Sequence, residues 1–251
     1  MQDLVTALVP LGDWAAQFML IVARLSFVVM LMPGIGEQVV PMQLRLMLLL
    51  GIAVGFSSTG VVAAAAFSPL PDYLTLMLGE VLIGFFLGVS LRCTIWLLSI
   101  VGTIVAQSVG LAQFLGIALE HEAQTITANL LSMAGAAILL TANFHVTAFV
   151  SFLSLYGDIP LGAQTLLDQP YFIQSLFSAF GFAILLAWPF VAVNLIYNIC
   201  LGFINKALPQ LMVAFVGAPF MVGAGVAMLA ISVGGLLFVW KDRVPQLVGW
   251  M

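Results

Sequence analysis

The sequence predicts an all-α, membrane-associated fold of about six to seven long, partly broken helices forming helical hairpins. Three observations predict it. Hydrophobic residues make up 63% of the 251 residues, and the charged ones are 6 basic and 10 acidic. Mean hydropathy is +1.23, whereas a soluble domain is about one quarter charged. Apolar runs long enough to cross about 30 Å of hydrocarbon recur along the chain. Almost none of these runs is clean: Arg24 sits inside Trp14–Met32, Glu80 and Arg92 flank Val81–Leu91, and Pro189 interrupts Phe180–Leu201. Hydrocarbon penalises an unpaired charge or a freed carbonyl, so these helices are expected to pack mainly against protein.

The elements follow in order. Trp14–Met32 is a first helix, ended by Pro33-Gly-Ile-Gly36. Pro41 opens a second that runs to about Ala66, with Arg45 in its first turns. Ser68-Pro-Leu-Pro-Asp72 is a break. The stretch from Tyr73 to about Val109 is too long for one ordinary span, and Gly79, Gly84, Gly88 and Gly102 suggest a bend or hairpin inside it. Gly110–Gln124 is mixed in character and reads as an irregular loop held within the protein. Thr125–Leu155 is helical with a break near Asn143. Tyr156–Pro170 is a polar loop. Two long helical regions, Tyr171–Phe203 and Pro209–Trp240, complete a single domain. The start lacks a basic n-region and a small-residue cleavage site, so the first apolar segment is expected to act as an uncleaved signal. Lys241 and Arg243 weakly favour a cytoplasmic C-terminus.

Several function classes lack support. There is no basic stripe for nucleic acid. There is no Walker loop, no GxGxxG, no Ser/His/Asp or Cys/His set and no paired carboxylates, so no enzyme, cofactor or metal is expected. Cys93 and Cys200 lie far apart inside apolar runs and read as small buried hydrophobes. Glu120-His-Glu122 lacks metal-ligand spacing and reads as a solvated loop end. His145 reads as a satisfied helix-end histidine. The methionines, among them Met30, Met32, Met42 and Met47, read as core filling rather than a gasket.

Two glycine pairs, Gly51-x-x-x-Gly55 and Gly84-x-x-x-Gly88, allow helix backbones to approach closely, either within the chain or between subunits. Arg24 and Glu80 are the most deeply embedded charges. An isolated ion at such depth costs about 3 kcal/mol or more, so each needs a partner, in this chain or another. Broken helices with buried charges also fit a secondary transporter of a small solute.

The stretch from Pro189 to Gly223 carries Pro189, Leu201-Gly202-Phe203, Lys206, Pro209-Gln210 and Gly217-Ala-Pro219. It resembles the signature of the FliR family, the R subunit of the flagellar type III export gate, with lysine at 206 where relatives more often carry arginine. Arg24 with Pro33-Gly-x-Gly36, Pro41 and Arg45 is similar to that family's first two helices. Glu80 through Gly84 and Gly88 resembles its Glu-x-x-Ile-Gly-x-x-x-Gly segment. Asn143-Phe-His145 through Ile159-Pro160 is similar to a region between helices. Ala118-Leu-Glu-His121 departs from the Asp-Pro pair that many relatives carry.

The resemblance implies one subunit of a helical FliPQR-type gate in the bacterial inner membrane, within the flagellar basal body. It implies a P-like part over about residues 1–170 and a Q-like part over about 171–251. FliP and FliQ would be its partners in a hetero-oligomer, FlhB a further neighbour, and unfolded export substrates its cargo. Gly110, Leu111, Phe114, Leu115, Gly116 and Ile117 would form a pore plug that excludes water and ions sterically. The equivalent subunit of a virulence-type system (SctT-like) stays open as an alternative, with Pro33–Arg45 favouring the flagellar one.

Overall fold

The computed structural model describes residues 2–37, 39–60, 62, 70–110, 126–162, 169–207 and 213–250. Among them are seven helices and no strand: α1 (Gln2–Leu31), α2 (Met42–Ser58), α3 (Leu70–Val109), α4 (Ile126–Thr141), α5 (Phe144–Asp158), α6 (Gln169–Ala207) and α7 (Val213–Val248). Four segments are long and apolar enough to cross a membrane: Gly12–Leu31, Leu70–Val109, Ile173–Ala207 and Gly217–Val248. The bent pair α4 and α5 makes up to five. The all-α, membrane-associated class is the one the composition predicts.

Several boundaries differ from those read in the sequence, each for a local reason. α1 begins at Gln2, because the apolar run Leu4–Leu11 continues the helix upstream of Trp14. α2 ends at Ser58 rather than near Ala66. There Ser57, Ser58 and Thr59 donate their hydroxyls back to the carbonyls of Val54, Gly55 and Phe56. Gly60 then turns left-handed at φ 67°, a combination that closes a helix.

α3 is one continuous helix of 40 residues, with no hairpin in it. Gly84, Gly88 and Gly102 serve close approach instead of bending. A Cβ at Gly84 would strike the Arg24 carbonyl oxygen, one at Gly88 would lie 2.6 Å from the Phe27 carbonyl oxygen, and one at Gly102 would lie 2.5 Å from Ala128 Cα. Pro189 does not cut α6 either. Its fixed φ suits a helix, and what it removes is the donor to the Leu185 carbonyl four residues back. α5 continues to Asp158 because Phe144, Ala148, Phe152 and Tyr156 recur every four residues and are all buried. α7 continues to Val248 on the same spacing, with Trp240, Val244 and Val248 buried. The break near Asn143 is present, and Asn143 sits left-handed at φ 55°.

The chain divides into two compact units. The first comprises residues 1–93, 139–176 and 245–251. Its core is the α1 stripe Leu20, Ile21, Leu25, Val28 and Met32 with Ile83, Leu87 and Leu91 of α3. Phe56 of α2 meets Phe152 and Tyr156 of α5 at ring separations of 6.0 and 6.3 Å. The second unit comprises residues 94–138 and 177–244. There Leu98, Val101 and Val105 of α3 are buried, as are Leu131 of α4 and Trp240 of α7. Trp240 donates its indole N–H to the Thr94 carbonyl at 3.0 Å. Thr127 donates its hydroxyl to the Gly102 carbonyl at 2.8 Å, which fixes α4 where the glycine lets it approach.

Candidate functional site: two arginine-held connectors in the first unit

Arg24 lies in the C-terminal third of α1 with its side chain 1% exposed, and Glu80 of α3 is buried to the same degree. Arg24 Nε donates to Glu80 Oε2, and Nη2 donates to Oε1 at 3.0 Å, a fork-on-fork pair. The remaining donors reach the chain just past α5. Nη1 donates to the Ile159 carbonyl at 2.8 Å and Nη2 to that of Pro160 at 3.4 Å. The backbone N–H of Gly162 donates to Glu80 Oε1 at 2.8 Å. The guanidinium also stands 4.5 Å from the centre of the Tyr156 ring, a cation–π contact. One ion pair thus joins α1 to α3 and ties down the turn that leaves α5.

The satisfaction is nearly complete, and that is what makes the burial tolerable. Two unpaired ions at this depth would be prohibitive, and a pair is acceptable only when its other hydrogen-bonding sites are filled. Carbonyls at a helix C-terminus carry partial negative charge, so a cation there is favoured. The backbone joins in: Gly84, one turn after Glu80, lets the Arg24 carbonyl lie against α3. Snorkelling of Arg24 to an interface is incompatible with this geometry.

A second connector joins α1 to α2. Gly36 N–H bonds the Met32 carbonyl at 2.7 Å, and Gly34 takes φ 84°. A Cβ at Gly36 would strike the Met30 carbonyl oxygen, so the Pro33-Gly-Ile-Gly36 motif is a turn that only glycine fits at that position. Arg45 reaches back from α2, its Nε donating to the Val40 carbonyl at 3.1 Å and its Nη2 to the carbonyls of Glu37 and Val40. Arg92 of α3 grips the Glu37 carboxylate with both nitrogens, at 2.6 and 3.3 Å. This pair is partly exposed, 20% and 29%. Near it, Trp250 donates its indole N–H to the Ser90 hydroxyl at 2.8 Å.

The structure therefore brings Arg24, Glu80 and Gly84 together, and brings Arg45 to the carbonyls of Glu37 and Val40 just ahead of Pro41. Gly88 packs on α1 like Gly84. Gly51 and Gly55 differ: nothing lies within 4 Å of a Cβ at either, so the first glycine pair has no partner helix among the described residues. Within the Pro189–Pro219 signature, Leu201 packs beside Gly217, where a Cβ would lie 3.4 Å from Leu201 Cδ2. Gly202, Lys206 and Pro219 are exposed, and Pro209 and Gln210 lie outside the described residues. Of the plug candidates only Gly110 is described. It ends α3 in the left-handed region at φ 75° and donates to the Gln107 carbonyl at 3.2 Å. Leu111, Phe114, Leu115, Gly116 and Ile117 lie outside the described residues, as do Glu120, His121 and Glu122.

Three side-chain expectations need correcting. Cys200 is exposed and Cys93 half-buried, so neither is a fully buried core residue. His145 starts α5 as expected, yet its Nδ1 is buried with no hydrogen-bond partner. Of the methionines, Met32 is buried, while Met42 and Met47 are 63% and 69% exposed, so core filling does not describe them all. No group of three or more His, Cys, Asp or Glu able to hold a metal occurs among the described residues.

Sequence reasoning missed Glu37 and the carbonyls of Ile159 and Pro160 as partners. Glu37 carried a signal, being the sole carboxylate between Asp13 and Asp72 in a chain whose buried cations each need a partner. The carbonyls carried none.

A family model described as bacterial export proteins, family 1, matches residues 15–247. The flagellar biosynthetic protein FliR of Caulobacter vibrioides is 28% identical over 237 residues, covering 91% of this chain and 93% of that protein. The proteins of the same name from Aquifex aeolicus and Escherichia coli K12 are 25% and 24% identical, covering 80% and 79% of this chain and 78% and 77% of their own lengths.

Proposed function

The chain belongs to the bacterial export proteins, family 1, and on that premise we propose that it is a structural, pore-forming subunit of the flagellar type III export gate. It is a component of a flagellar export apparatus, located in the inner membrane. In the proposed gate it assembles with FliP and FliQ, with FlhB as a neighbour, and passes unfolded flagellar proteins. Residues 1 to about 170 form the P-like part and about 171 to 251 the Q-like part of a single gate domain. Gly110 and the segment to Ile117 act as a steric plug.

The observation that carries this reading is the mismatch between apolar surface and internal burial. Only 22% of the most apolar window of α6 and 17% of that of α7 is buried within the chain. Phe177, Leu185, Trp188 and Phe203 are among the large exposed apolar side chains. Apolar area of that extent marks an interface with protein or lipid. Arg24 and Glu80 of the first unit, by contrast, are buried and paired. Packing on sister subunits accounts for both facts. The relatives' flagellar names support the flagellar system over the virulence-type one.

The test is co-expression with and without FliP and FliQ, followed by detergent extraction. The expected result is a stable complex in their presence and poor recovery of the chain alone. A well-behaved monomer that moves a small solute would overturn the reading in favour of a secondary transporter.

A further inference from the structure

We infer that a neutral polar pocket inside the second unit binds main-chain amides of an extended polypeptide in transit, an assignment that rests on the export function proposed above. The pocket holds about 450 Å³ and is formed by the C-terminal end of α3 with α6 and α7. Gln107 and Ser108, Asn194, Tyr197 and Asn198, and Met221 are among its lining residues.

Four features set it apart from ordinary packing. Asn194 and Asn198 are the only amide side chains between Ala179 and Ile204. Amides in so apolar a helix are costly unless they face protein or a watered cavity. The Tyr197 hydroxyl is buried and has no hydrogen-bond partner, and a buried orphan of this kind calls for a ligand or water. Gly217 leaves it room, since a Cβ there would strike the hydroxyl oxygen. The lining contains no ionisable side chain except that phenol, so neither a cation nor a phosphate finds a counter-charge.

What remains is a mixed set of neutral donors and acceptors beside apolar side chains. Asn198 Nδ2 bonds the Asn194 carbonyl and side-chain oxygen at 2.9 and 2.8 Å. That leaves the Asn198 oxygen, the Asn194 amide hydrogens and the exposed Gln107 amide for a ligand. An extended chain offers one N–H and one C=O per residue whatever its side chains. Such recognition is weak per bond and blind to sequence, as a conduit for many different polypeptides requires.

The test places a photo-crosslinking p-benzoylphenylalanine at position 198 of the full chain, in flagellated cells carrying an export substrate stalled by a folded C-terminal domain. The expected result is a light-dependent adduct with the stalled substrate. Gln107→Leu and Asn194→Leu, each added to the probe, are expected to lower its yield about fivefold. Adducts confined to this chain or to another subunit overturn the proposal, as does a substrate adduct indifferent to both substitutions. If the probe prevents assembly, Asn198→Cys opposite a cysteine in the substrate reads the same contact, and absence of that disulfide overturns the proposal. The adducts are read only where the chain sustains motility. A failed pocket thus leaves the export function standing, while a chain that cannot restore motility fails the function itself.

Discussion

Gly84 lies against the backbone carbonyl of Arg24, the same residue whose guanidinium binds Glu80 one turn earlier on α3. A single position on α1 therefore makes both the closest backbone contact and the deepest ionic contact with α3. Each constrains the other, because the fork geometry needs the short helix separation that the glycine permits.

Removing one ion should expose the cost of leaving the other unpaired. Glu80→Gln or Arg24→Leu is expected to destabilise the chain by about 3–5 kcal/mol, read as lost thermal stability of the detergent-extracted protein or its complex. The charge swap Arg24→Glu with Glu80→Arg is expected to recover only part of this. The Ile159 and Pro160 carbonyls would then face a carboxylate. Full independence of the two single substitutions, measured as a double-mutant cycle, would count against the pairing.

The second ion pair should behave differently. Glu37 and Arg92 are partly exposed, where such pairs contribute about 0–1 kcal/mol. Glu37→Gln is expected to lower stability by less than Glu80→Gln does, with an effect that fades in high salt. Thermal melts at low and high ionic strength check this.

The two glycine pairs should separate cleanly. Gly84→Val and Gly88→Val are expected to disrupt the α1–α3 contact and lower the amount of folded chain several-fold. Gly51→Leu and Gly55→Leu meet open space and are expected to leave the chain's own stability unchanged. If they nonetheless reduce co-purification with FliP and FliQ, the exposed α2 face is part of the assembly.

Trp240 is fully buried and hydrogen-bonded to the Thr94 carbonyl. Trp240→Phe is expected to cost about 1 kcal/mol for the lost bond. Trp240→Ala is expected to cost about 3–5 kcal/mol for the cavity. Chemical unfolding of the purified complex reports both.

Deletion of 110–117 is expected to raise ion leakage when the whole gate is expressed. Conductance of cells carrying the assembled gate measures it. Unchanged leakage with an intact complex would remove the plug role.

Much of the architecture was legible in the sequence because the sparse charges and prolines act as punctuation. Arg24 and Glu80 stood out as deep ions in need of partners, and Pro33 to Arg45 announced a turn. Where the reading failed, the missing information was tertiary. Gly102 of α3 looks like a break in one dimension and becomes a contact point only when α4 is set against it. The end of α2 depended on three hydroxyls folding back on their own helix, a choice that propensity alone does not decide. The carbonyls that Arg24 binds carry no side-chain signature at all.

At about 1.5 Å per residue, the 40-residue α3 is about 60 Å long, twice the roughly 30 Å depth of hydrocarbon. Tilt cannot reconcile the two, since about 60° would be needed and transmembrane helices rarely exceed about 40°. A newly made copy released from the insertion machinery on its own would leave half of that greasy rod without a matching solvent. Orphaned copies should therefore be cleared quickly by membrane proteases, and the abundance of the chain in the cell should follow that of the subunits that sheathe it.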